Sequence, residues 1–222
     1  MERTVERVSL EELKEIGVEK KIICRLIPQH GFHDAVKRMP HFELGDMYVV
    51  YSILLDKCED GIGTVPLMND LVEILEIEKE KLYNLARENA NELLPPKVAS
   101  LDDFLRESEY YDEVDMEGMD ENFGNHMYVI TNDVQTYGAA AVLYKDVLKS
   151  LADRIESNLF LLPSSVHEFI AVPITDAMNV KELEELVKSV NYSVLEPKDF
   201  LSDSVYYYDR VADELTRVEG LC

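Results

Sequence analysis

From residue 127 to residue 190, short apolar runs alternate with longer amphipathic stretches, and this alternation constrains the fold more than any other feature of the chain. Residues 127–131 and 139–144 are short apolar runs, and 146–155 has helical spacing. Residues 158–162 and 168–172 flank Pro163-Ser164-Ser165, a turn-forming string, and Asn179 stands as an N-cap ahead of Val180, Leu183, Leu186, Val187 and Val190. In order the unit is β-β-α-β-β-α. The run 139–143 is also open to helix, because Ala favours helix and so short a run has no decisive period. Consecutive strands joined by short links pair most easily as antiparallel neighbours. The pattern therefore predicts an α+β fold, with a mostly antiparallel four-stranded sheet carrying its helices on one face. The tail, 205–208 and 215–218, predicts a final hairpin.

Upstream the signals are weaker. Ser9 with Glu12 reads as a capping box, and Leu10, Leu13, Ile16, Ile23, Leu26 and Ile27 recur near helical spacing, which predicts a helix over 9–26, split at Gly17 and ended by Pro28. A second short helix is predicted over 32–39, before Pro40. Residues 47–55 (MYVVYSILL) have the β-branched and aromatic content of a buried strand, and Asp60-Gly61 with Gly63 supplies a turn to a second strand near 64–68. Asn69 is placed to cap a short helix through Leu75. A longer helix over 78–94 shows the stripe Leu82, Leu85, Ala86, Ala90 and Leu93, and Pro95-Pro96 ends it. Met47-Tyr48-Val49-Val50 and Met127-Tyr128-Val129-Ile130 each lead to a glycine, an apolar run and an aspartate, which raises an internal duplication of a β-β-α unit. A duplication requires the same strand order in both halves.

Between residues 102 and 121, ten acidic side chains face the single base Arg106, and the whole chain carries a formal charge of −23. This stretch divides the sequence into a helical and β-hairpin region over 1–100, an acidic linker or exposed segment over 101–125, and an α+β region over 126–222 that can pack with the first as one domain. The charge works against direct nucleic-acid binding, which needs clustered Lys and Arg, and suits a basic protein partner. No run approaches the roughly 18 apolar residues of a membrane helix, and the N-terminus lacks a signal-peptide pattern, so a cytoplasmic location is expected. Cys24, Cys58 and Cys222 form neither an even set nor a C-x-x-C pair, which argues against a disulfide framework or a thiolate metal site.

The most chemical-looking string is Ser164-Ser165-Val166-His167-Glu168, two hydroxyls, an imidazole and a carboxylate in five residues. Nucleophilic catalysis needs a base oriented by a third group, and such groups seldom meet through adjacency, so these four side chains are the catalytic candidates while a structural turn is the expectation. His30, His33 and His41 are candidate zinc ligands by the His-x-x-His spacing, without an obvious fourth. Tyr110, Tyr111 and Tyr207 are candidate partner anchors. Gly61-Ile-Gly63 lacks the rest of a phosphate loop, and no cofactor is expected. Plentiful core-building segments and few converging chemical groups lead to a non-enzymatic interaction or regulatory protein. The alternative is an enzyme or small-ligand protein with its site near Ser165, His167 and Glu168.

The strings MYVITND, YGAAAVLYKDVLKSLADRI, NLFLLPSSVHEFIAVPI and LSDSVYYYDR, with VPLMNDLVEILEIEKEKLYNLARENANELLPP upstream, resemble an uncharacterised bacterial family of unknown function over residues 20–210. The helix around 82–89 is more distantly similar to a second family of uncharacterised cytoplasmic proteins. The first resemblance implies an additional N-terminal segment, usual in that family, which this chain is expected to lack. Neither implies an activity or a catalytic residue.

Overall fold

A computed structural model describes residues 17–58, 61–107, 127–175 and 178–218. Among them the chain forms an α+β fold with two antiparallel sheets. The first is built on β3 (Met47–Cys58), with β1 (Ile22–Pro28) along one side and β2 (His41–Leu44) and β4 (Gly61–Pro66) in succession along the other. Residues 47–54 of β3 are buried throughout because both faces are covered. Val49 and Tyr51 share a core with Leu82, Ala86 and Ala90 of α3 (Lys79–Leu93), while Tyr48 and Val50 pack with Val36 of the one-turn helix α1 (His33–Val36). The alanines of α3 let the helix approach the sheet closely. Asn89 fastens it there by donating to the carbonyls of Glu19 (2.7 Å) and Ile22 (2.9 Å).

Three expectations for this half change. The segment read as the end of a helix is strand β1, because Gly17 (φ 67) turns the chain into a short 3₁₀ turn, Val18–Lys21. From there Ile22, Cys24 and Leu26 keep a period of two that the helical spacing of Ile23, Leu26 and Ile27 obscured; residues 9–16 lie outside the described residues. The helix expected over 32–39 is only α1. Strand β2 carried too few apolar residues to announce itself. It forms because the two-residue turn Gly45-Asp46, with Gly45 at φ 60, folds it back on β3 in the register Leu44 to Met47. Asn69 opens α2 (Asn69–Ile74) but donates to the Lys37 carbonyl at 3.3 Å instead of capping the helix.

The second sheet has six strands: β5 (Pro96–Ser100), β6 (Tyr128–Asn132), β7 (Leu159–Pro163), β8 (Phe169–Pro173), β9 (Tyr206–Asp209) and β10 (Glu214–Arg217), in the order β10-β9-β7-β8-β6-β5. Three of the four strands expected between 127 and 172 form, as β6, β7 and β8, and the tail hairpin and the strand following the Pro-Pro pair extend them to six. The start of the acidic stretch is a short helix, α4 (Leu101–Arg106), capped by the Ser100 hydroxyl, which accepts from the Asp103 N–H at 3.1 Å. The open question over 139–143 resolves as 3₁₀ helix (Gly138–Leu143), so β6 is followed by a tight turn and then α5 (Val147–Ile155).

Helices on one face of the sheet were expected, and the packing is different. In β7, Leu159 and Leu161 share a core with Leu148 and Leu151 of α5, whereas Phe160 and Leu162 pack with Leu183 and Val187 of α6 (Val180–Val194). Successive strand residues point to opposite faces, so α5 and α6 cover opposite sides. The core on the α5 side also contains Ile22, Val49 and Leu82 of the first half, so the two sheets share it. The duplication does not hold: β3 pairs with the strand that follows it, β4, whereas β6 pairs with β5 and β8 and the run after it is 3₁₀ helix. Among the described residues no helix is long and apolar enough to cross a membrane.

Candidate functional site

Ser164 to Glu168 form the connection between β7 and β8, and their polar groups are engaged close to home. The N–H groups of Ser164 and Ser165 both donate to the Glu168 carbonyl (3.2 and 3.3 Å). The buried Ser165 hydroxyl donates to Glu168 Oε1 at 2.8 Å and accepts the backbone N–H of His167 at 2.9 Å. These are local bonds of the kind serine makes in turns.

The imidazole of His167 faces elsewhere. Its Nδ1 accepts the backbone N–H of Tyr137 at 3.1 Å, which puts the proton of the neutral ring on Nε2, 3.3 Å from Asp199 Oδ1. Its carbonyl accepts the Thr131 hydroxyl at 2.8 Å. The Tyr137 ring stacks on the imidazole (5.7 Å, 22°), and the Arg25 guanidinium lies 3.4 Å from the centroid of the Tyr137 ring. Tyr137 takes a left-handed conformation (φ 52) that a bulky residue adopts only when its surroundings hold it. Gly138 follows it because a β-carbon there would collide with Thr131 and come within 2.6 Å of the Asn132 nitrogen and the His167 carbonyl. Both ring nitrogens of His167 are thus taken and its base function is not directed at Ser165. The stack Arg25–Tyr137–His167–Asp199 ties β1 to the β7–β8 turn and to the segment after α6. Arg25 donates to Thr64 Oγ1 at 3.2 Å, its Nε has no partner, and burial lowers the guanidinium pKa. Nothing local in the sequence singles out Arg25, Tyr137 or Asp199; the Tyr-Gly pair at 137–138 is the one hint of a strained turn.

The other candidates are dispersed. His33 Nδ1 meets the Tyr48 hydroxyl at 2.7 Å and His41 Nδ1 meets the Met39 carbonyl at 2.9 Å, each ring edge-on to Tyr48, and His30 is exposed on the preceding turn. Among the described residues no three His, Cys, Asp or Glu side chains are grouped to hold a metal ion. Tyr207 accepts from Asn158 Nδ2 at 2.7 Å and packs on Phe160, whereas Tyr206 and Tyr208 point into the shared core. Tyr110, Tyr111 and Cys222 lie outside the described residues.

Helix α6 presents an apolar surface that its sequence pattern assigned to the core. Leu183 and Val187 are buried, but Leu186 and Val190 are each 42% exposed and Val194 is 74% exposed. With Glu182 they occupy one i, i+4 row of the helix. Glu185 lies in the neighbouring row, one turn after Lys181, whereas Lys188 falls on the far side from Leu186 and Val190 by the 3.6-residue repeat. The helix is held by Asn179, whose side chain accepts the Lys181 N–H at 3.0 Å, and by Asn191, which donates to the Ser202 carbonyl and to Asp203 (3.0 and 2.9 Å).

No curated protein and no solved structure matches the chain. One family model does, over residues 2–210, starting ahead of the strings that carry the resemblance in the sequence. A match over most of the chain places it in that group: the protein belongs to the family of unknown function DUF5688.

Proposed function

We propose that this chain is a non-enzymatic interaction protein whose α6 helix receives a basic, amphipathic segment of another protein. The observation that carries the reading is the exposed row Leu186, Val190 and Val194 continued by Glu182, with Glu185 in the neighbouring row and Lys188 turned away. Apolar side chains at this spacing match the stripe of an amphipathic helix. Covering each would contribute roughly 1 kcal/mol, since each is already partly buried or small. The flanking carboxylates would favour a partner rich in Lys and Arg and would speed its approach, as would the formal charge of −23.

The alternative, an enzyme or small-ligand site at Ser165, His167 and Glu168, has less support. The Ser165 proton is directed to Glu168 and the His167 nitrogens to Tyr137 and Asp199, so the nucleophile–base pair that acyl chemistry requires is absent from this turn.

The test is binding of a basic amphipathic helical peptide to the full chain, followed by fluorescence anisotropy at low and moderate salt. The expected result is salt-sensitive binding that weakens at least about tenfold, or about 1.4 kcal/mol, in the charge-neutral double variant Leu186→Ser/Val190→Ser. Equal affinity for that variant, or equal binding of a scrambled peptide of the same charge, would overturn the reading.

A further inference from the structure

A cleft of about 540 Å³ opens on the side of the second sheet away from α6, where α3 and β2 of the first half meet the start of α5 and the β9–β10 turn. Its size and its position at the junction of the two halves are those of small-molecule sites. Arg87 projects from α3 into it. The Arg87 Nε is buried and has no hydrogen-bond partner, no acidic side chain among the described residues pairs with the guanidinium, and its one aromatic contact is the Tyr83 ring at 5.0 Å. A buried N–H without an acceptor forfeits solvation, while the rest of this half-buried guanidinium is open to the cleft.

A second, independent feature lies on the opposite wall. Asp146 stands at the N-cap of α5, a position where aspartate ordinarily accepts a backbone N–H, yet it makes no capping bond and is left-handed (φ 63). Asp213, in the β9–β10 turn, is also left-handed (φ 55), and its Oδ1 takes the Tyr208 hydroxyl at 2.6 Å. Two non-glycine residues in this conformation thus line one cleft, a concentration expected where backbone geometry serves a site.

The charges decide the class of ligand. Arg87, Lys145 and Lys149 face Glu88, Asp146, Asp213 and Glu214, and Lys149 is already paired with Asp153 at 2.9 Å. With three cationic and four anionic side chains on its walls, an ion of either sign meets several like charges as well as opposite ones. A molecule carrying both signs satisfies the two walls together, and Phe42 and Tyr83, packed edge to face at 5.1 Å, give its apolar part a surface. We propose that this cleft binds a small zwitterion, an α-amino acid or short peptide, with its carboxylate on Arg87 and its ammonium toward Asp146 and Asp213.

Isothermal titration of the full chain with α-amino acids and dipeptides tests this, with succinate, inorganic phosphate and putrescine as single-sign probes. Saturable binding of a zwitterion is expected, weakened at least about tenfold by Arg87→Gln and likewise by Asp213→Asn, and unchanged by Leu186→Ser/Val190→Ser on the other face of the sheet. Two separate variants guard against one of them failing to fold, and circular dichroism reports on each. Absence of saturable binding by every amino acid and dipeptide would overturn the proposal. So would succinate, phosphate or putrescine binding as tightly as the best zwitterion, or full affinity in a folded Arg87→Gln or Asp213→Asn protein. Because the peptide-docking face is elsewhere, either proposal can fail while the other stands.

Discussion

The Tyr206 hydroxyl donates to the Asp46 carboxylate across 160 residues of sequence, from β9 to the tip of the β2–β3 turn. Ser202 reaches both oxygens of the same carboxylate (2.8 and 2.9 Å) and Ser204 reaches one (2.9 Å). Burial first, and the neighbouring Asp46 second, raise the Tyr206 phenol pKa, which keeps it a donor. Asp46→Ala would leave three hydroxyls without their charged acceptor. The expected loss is about 3 kcal/mol, given that hydrogen bonds to charged groups contribute about 1.5–3 kcal/mol and do not add fully. Urea unfolding measures it, and a change within about 0.5 kcal/mol would show that this carboxylate does not join the two sheets.

Gly138 and Gly17 make a matched pair of tests. An added β-carbon at Gly138 meets backbone atoms of Asn132 and His167, which cannot step aside, whereas Gly17 has open space and only its positive φ (67°) to oppose substitution. Gly138→Ala is therefore expected to cost about 3 kcal/mol or more and Gly17→Ala about 1 kcal/mol. Thermal unfolding of the two variants, compared side by side, would contradict this if their order were reversed.

The two described cysteines should differ sharply in reactivity. Cys24 is buried in the shared core, and desolvation pushes its thiol up to about 12 from 9.0, while Cys58 is exposed. Since the thiolate is the reactive form, alkylation followed by peptide mapping should modify Cys58 in the native protein and Cys24 only after unfolding. The sign of the linkage follows. The fold favours the neutral thiol, so its contribution is complete below pH 9 and is lost as pH rises from 9 toward 12.

Asp209 behaves in the opposite sense. Its Oδ1 accepts the N–H groups of Val211 and Ala212 (2.8 and 2.9 Å), and those two bonds lower the carboxyl pKa below 3.8. The ionised form is the one the native turn prefers, so its contribution is present above pH 3.8 and disappears as pH falls through the lowered value. Asp209→Ala should therefore unfold more readily than the parent at pH 7 and match it at the acid end; a difference that persisted unchanged in acid would count against this turn bond.

The elements that could be read from sequence are those whose signals are local. The helix with Leu82, Ala86 and Ala90 on one stripe, the Asn179-capped helix and the strand MYVVYSILL all formed where their own residues indicated. Strand β1 was obscured because Ile23, Leu26 and Ile27 fit a helical repeat while Ile22, Cys24 and Leu26 carry the strand period, and a run of this length is settled by its neighbours. At the Ser164–Glu168 turn, sequence proximity supplied both the catalytic appearance and its resolution, since the serine bonds are to residues two and three positions away.

Sequence alone determined the α+β class, the antiparallel habit of the strands and the negative charge, because propensity, periodicity and composition act within a few residues or over the whole chain. Tertiary structure decided which faces are covered. Leu186 and Val190 share a helical pattern with Leu183 and Val187, yet only the latter pair meets the sheet. It also decided which distant polar groups meet, Arg25 with Tyr137, Arg87 with its cleft and Asp46 with Tyr206. Such pairings depend on how two sheets dock, and docking is a sum of many weak contacts that no single stretch of residues encodes.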